Sequence, residues 1–159
     1  MKQITFLLCS IFITFAAFAQ PVVWSLSGGN NGGSTIDPDG NVYTIRTMQS
    51  SGTIHLGVDL STDYTLSSGL AIYITKTNAN GEFIWEKKYY DMPFSSNVFG
   101  HQIKYANDGS LYCLGYFNGL ADLDDDPAVG NIIENFGSTF ILKLTVDGNY
   151  VWNIQTTGS

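Results

Sequence analysis

The sequence predicts an all-β protein, and three observations carry that reading. Alternating, β-branched and aromatic runs dominate the chain, each bounded by Gly, Asn, Asp or Ser. Asp-Gly or Asn-Gly stands at several of the joins, the strongest short-range hairpin signals a sequence offers. Beyond the first twenty residues, no window sustains a helical period.

In chain order, the first segment is not a strand. Lys2 gives a positive start, residues 4–18 are almost wholly apolar, and Ala17-Phe18-Ala19 is a small-x-small signal before Gln20. This predicts a secretory signal peptide over residues 1–19, and hence a secreted, extracellular or cell-surface protein. The apolar run is short for a membrane span and no second one follows, so no transmembrane segment is expected after cleavage. Cys9 sits in mid-run, unlike a lipoprotein acylation site. The remaining chain, about 140 residues, suffices for one ordinary domain. Its acidic balance, a formal net charge of −7 for the whole chain, argues against a nucleic-acid partner. Cys113 is then the sole cysteine, which excludes an intramolecular disulfide, and its apolar setting in SLYCLGYF predicts a buried, inert thiol.

The strands follow. A lone strand is expected at 21–27, containing VVWSL, and then NVYTI (41–45), TIHLGV (53–58), AIYITKT (71–77) and EFIWEKKYY (82–90). SLYCLGYF (110–117), NIIENF (131–136), TFILKLT (139–145) and NYVWNIQ (149–155) complete the set. Asp37-Pro38-Asp39-Gly40-Asn41 reads as a hairpin turn, with proline fixing one φ angle and glycine supplying another.

These strands repeat. Trp24, Trp85 and Trp152 are spaced by 61 and 67 residues. Asp39-Gly40-Asn41-Val42-Tyr43 returns 69 residues later as Asp108-Gly109-Ser110-Leu111-Tyr112, and Tyr73-Ile74-Thr75-Lys76 returns 67 later as Phe140-Ile141-Leu142-Lys143. Repeats of this length, each holding about four short strands, have the signature of β-propeller blades. Two units are expected, over about 25–85 and 86–152. VVWSL then reads as the closing strand of a blade whose beginning is missing. Two blades cannot close a ring, so the chain reads as the front of a longer protein, with assembly of several copies as the alternative.

DGNVYTI, DGSLYCLGYFNGLADLDDDPAVGN, FGSTFILKLTVDGNYVW and NANGEFIW together resemble the secreted bacterial β-propeller repeats termed SBBP. The second unit carries most of the likeness, through Gly115, Phe117, Asp122-Leu123-Asp124, Phe140-Ile141, Lys143-Leu144, Gly148 and Trp152. The first departs in its middle, with Arg46 in place of the usual glycine and no clear D-x-D-P segment. The resemblance implies a secreted propeller and, in many relatives, a sorting domain for type IX secretion after the repeats.

Few residues suggest chemistry. Gly81 to Trp85 and Gly148 to Trp152 share a G-x-x-x-W spacing. Glycine allows the turn, and the tryptophan is expected on the same face as the aromatic two before it, Phe83 or Tyr150. Recurrence favours a role for Trp24, Trp85 and Trp152 in docking blades over gripping carbohydrate. The acidic run Asp122-Leu123-Asp124-Asp125-Asp126 lacks the spacing of a dedicated calcium loop and reads as a solvated turn. Asp122, Asp124 and Asp126 are the calcium candidates if it binds one. His55 and His101 stand far apart with no metal-ligand spacing around them. Lys76 and Lys143 recur at equivalent positions, which argues for packing or solvation. With no nucleophile motif or phosphate loop, neither a catalytic residue nor a cofactor is expected.

The function expected is a non-catalytic secreted scaffold binding an extracellular protein or glycan. The alternatives are part of a quinoprotein-like or glycosidase-like propeller enzyme with its catalytic residues elsewhere, and a purely structural spacer.

Overall fold

A computed structural model describes residues 29–49, 53–54, 64–65, 70–90, 97–124 and 132–156. All regular structure in these residues is strand, and none is helix. The protein is all-β. The expected signal peptide, the strand at 21–27, Trp24, His55 and Asp126 lie outside the described residues.

The described residues form ten strands. β1 (Gly29–Ile36), β2 (Val42–Gln49), β5 (Leu70–Thr77) and β6 (Phe83–Tyr90) make one antiparallel sheet in that order. β7 (Asn97–Tyr105), β8 (Ser110–Asp122), β9 (Ile132–Thr145) and β10 (Tyr150–Thr156) make a second, again each pairing with the next. β3 (Thr53–Ile54) and β4 (Tyr64–Thr65) form a small ribbon between β2 and β5.

Four tight turns share one hydrogen-bonding pattern. Asp37 N–H donates to Asn41 O and Gly40 N–H to Asp37 O, and the same two bonds recur at 78–82, 106–110 and 145–149. The glycines in these turns, Gly40, Gly81, Gly109 and Gly148, all have φ between 74° and 83°. This is a three-residue hairpin loop, a type I turn completed by a left-handed residue, which glycine adopts without penalty. A side chain locks three of them from within: Asp37 Oδ1, Asn78 Oδ1 and Thr145 Oγ1 each accept from two main-chain N–H groups of their own turn.

The sheets stack face to face. On the first, Tyr43, Ile45, Ile72, Ile74 and Tyr89 are buried; on the second, Leu111, Cys113, Phe117, Phe140, Leu142 and Leu144 are buried in the same cluster. Alternation along β8 and β9 supplies this inner face, as a half-buried antiparallel sheet requires. The edge strands β1 and β7 approach closely, because a Cβ on Gly33 would come within 3.1 Å of Gln102 Cα. Gly100 is equally constrained, lying against Ile45 and Ile72. Two polar links cross here: Gly100 N–H donates to Thr47 Oγ1 at 2.8 Å, and Tyr105 N–H to Thr35 Oγ1 at 3.1 Å.

One expectation of local geometry fails. Trp85 pairs with Lys76 while Phe83 pairs with Thr77, and Trp152 pairs with Lys143 while Tyr150 pairs with Leu144. In each case a bulge adds a residue, Ile84 or Val151, and reverses the alternation. The tryptophan and the aromatic two before it therefore lie on opposite faces. Tyr150 packs on the core and takes a hydrogen bond from Asn153, whereas Trp152 lies on the outward face with Tyr112 and Lys143.

Candidate functional site

Two equivalent groups of side chains stand out, one covered and one open. In the first sheet, register places Tyr43, Lys76 and Trp85 side by side on neighbouring strands. The Lys76 ammonium lies 5.3 Å from the Tyr43 ring centre, and the Tyr43 and Trp85 rings are 6.1 Å apart. The turn between β9 and β10 closes over them. Val146 O accepts from Trp85 Nε1 at 3.1 Å and from Lys76 Nζ at 3.3 Å, and a Cβ on Gly148 would meet the Trp85 ring at 3.3 Å.

The same trio recurs as Tyr112, Lys143 and Trp152. Lys143 lies 5.2 Å from the Tyr112 ring centre and 6.0 Å from that of Trp152, and the two rings meet edge-on at 6.0 Å. No described segment covers this group. Instead Lys143 Nζ pairs with Asp108 Oδ2 at 2.9 Å, and the Tyr112 hydroxyl donates to the same oxygen. The bonds from Lys143 and Tyr112 draw the Asp108 carboxyl down to about 2 and push the Lys143 ammonium up.

Asp37 serves Tyr43 differently. It is buried at the sheet end, where Oδ2 accepts from Tyr43 OH at 2.9 Å and from Asn41 Nδ2 at 2.8 Å. Burial pushes this carboxyl up, but bonds from Asn41, Tyr43 and Asp39 outweigh that and hold it below the usual value. Burial, with the Asp37 carboxylate second, pushes the Tyr43 phenol well up.

Among the described residues, the remaining candidates do not converge. Asp122 ends β8 and Asp124 follows, with Asp124 N–H donating to Asp122 Oδ1 at 3.2 Å. Among the described residues, no three His, Cys, Asp or Glu side chains are grouped to hold a metal ion. His101 is exposed at the β7 bulge. Cys113 is fully buried, and burial pushes its thiol well up, away from the reactive thiolate. Among the described residues, no helix is long and apolar enough to cross a membrane.

An open depression of about 360 Å³ lies on the outward face of the second sheet, lined by the side chains of Gln102, Lys104, Tyr112, Leu114 and Ile141. Sequence reasoning missed this face. Its signal was present in the alternation of Tyr112, Leu114 and Tyr116, which puts large side chains on the side away from the core. Comparison with family models, curated proteins and solved structures finds no match.

Proposed function

We propose that the chain is a secreted, non-catalytic scaffold of β-propeller repeats, similar to the SBBP type, that binds protein or glycan at the cell surface. One observation carries this reading. Two sheets of the same strand order stack so that the tyrosine–lysine–tryptophan group of one seats a turn of the next. One copy of the recurring residues, Tyr43, Lys76 and Trp85, is thereby occupied in packing one unit on another, as in repeat architectures. The leader-like start of the sequence supports export. The missing D-x-D-P segment of the first unit marks where the two repeats diverge, and ligand preference belongs with such divergent loops.

The test is binding and turnover together. The protein secreted by its native host is captured, its N-terminus sequenced, and its binding measured on an immobilised glycan array and on host surface proteins. The expected result is an N-terminus at Gln20 and saturable binding without conversion of the ligand. Retention of residues 1–19 on cell-bound protein would overturn export, and turnover of a glycoside or alcohol substrate would overturn the scaffold reading.

A further inference from the structure

The outward face of the second sheet repeats the face that the first sheet buries. Tyr43, Ile45, Ile74, Lys76 and Trp85 are turned toward the second sheet. Their counterparts 69 or 67 residues on are Tyr112, Leu114, Ile141, Lys143 and Trp152, which register places on the side away from the core. Nothing described covers them: Leu114 is 37% exposed and Ile154, beside Ile141, is 54% exposed. The covered Trp85 donates to a carbonyl of the neighbouring turn, whereas the Trp152 indole N–H meets no acceptor among the described residues.

We propose that this face is the seat of a further four-stranded sheet of the same repeat. Its first strand lies over Leu114 and Thr139, as Gly100 of β7 lies over Ile45 and Ile72. Its last turn presents a main-chain carbonyl to Trp152 Nε1 and Lys143 Nζ, as Val146 O does to Trp85 and Lys76. The chain already shows how such a face is filled, since its own second sheet covers the equivalent face of the first. A second copy of the chain fits less well. To stack head to tail, as the two sheets do, it would have to offer the far face of its own first sheet, where Thr44 and Tyr73 hold the places of Cys113 and Phe140. Those two side chains are already buried, at 4% and 1% exposure. One feature sets a condition on the occupant. Gln102 stands where Gly33 admits β7, so the covering strand must leave room for a longer side chain. This occupant rests on the repeat reading above, whatever glycan or protein is bound elsewhere.

The test keeps the full chain and appends after Ser159, by segmental ligation, an isotope-labelled second copy of residues 91–156, so that peptides of the original segment are read separately by mass. Hydroxyl-radical footprinting reports on Leu114, Trp152 and Ile154, and thermal unfolding reports on the whole. The expected result is at least fivefold protection of these three residues and a higher melting midpoint, both lost when Leu114→Lys is introduced in the original segment. Unchanged footprints, or an appended unit that stays unfolded beside its seat, would overturn the proposal. So would protection of the same residues in the unextended chain on raising its concentration, which would assign the face to a second copy.

Discussion

Trp85 and Val146, 61 residues apart in sequence, join the two sheets through an indole N–H donated to a main-chain oxygen at 3.1 Å. Trp85→Ala removes that bond and the ring packed on Tyr43, so it should destabilise the fold by about 3 kcal/mol. Trp152→Ala removes the equivalent ring where no described sheet lies against it and should cost under about 1 kcal/mol. Denaturant unfolding of both variants beside the wild type compares them. Equal losses would mean that contact between the sheets is not what Trp85 supplies.

Gly109 and Gly148 occupy the same turn position with nearly the same φ, 74° and 79°. Each replaced by alanine should lose about 1 kcal/mol for forcing a left-handed conformation. Nothing lies within 4 Å of a Cβ on Gly109, whereas Lys87 and Trp85 crowd one on Gly148. Gly148→Ala should therefore be the more destabilising of the two. Melting curves showing the reverse order would refute the packing of this turn on Trp85.

Asp37→Ala should cost about 2 kcal/mol, because it strands the buried Tyr43 hydroxyl and frees two turn N–H groups. Asp37→Asn, which keeps an acceptor, should cost less. The carboxyl is held below its ordinary value in the folded chain, so its contribution is present above about pH 4 and fades as pH falls through the lowered value. In Asp37→Asn the acid limb of the stability profile should flatten.

The Asp108–Lys143 pair is readable directly. Carboxylate NMR should place Asp108 at about 2 in the native protein, and Lys143→Met should return it toward 3.8. The sign follows from the depressed value: whatever the pair adds to stability is complete above about pH 4 and is lost toward pH 2. A titration midpoint unmoved by Lys143→Met would mean that the ion pair does not form in solution.

Cys113 should resist iodoacetamide in the folded protein and react fully in denaturant, since it is buried and its thiol is pushed up. Mass spectrometry before and after unfolding distinguishes the two. Rapid labelling of native protein would place Cys113 outside the core.

Strands with strong alternation were legible in the sequence: β2, β5, β6, β8 and β10 all fall where β-branched and aromatic residues alternate. β1 and β7 were not. Gly29–Ile36 reads GNNGGSTI, a composition that signals a loop, yet its glycines admit a neighbouring backbone at close range. β9 reads as two strands because Gly137 interrupts it, but that residue takes φ 75° and the ladder continues on either side. The facing of Phe83 and Tyr150 was missed because a bulge leaves no mark on composition. The open face around Leu114 needed topology, since alternation alone does not say which side has a neighbour.

The four matched turns also bear on how the chain reaches its fold. Each closes a hairpin over three residues, so these contacts form on the microsecond scale of local pairing. The links between sheets are remote in sequence by comparison: Thr47 and Gly100 are 53 residues apart, and Thr35 and Tyr105 are 70. Hairpins then come early and the meeting of the sheets comes late, because long-range closure entropy must be met before those contacts reward it. Contacts made only at that meeting, the Trp85–Val146 bond foremost, should govern how slowly the protein unfolds and leave its folding rate almost unchanged.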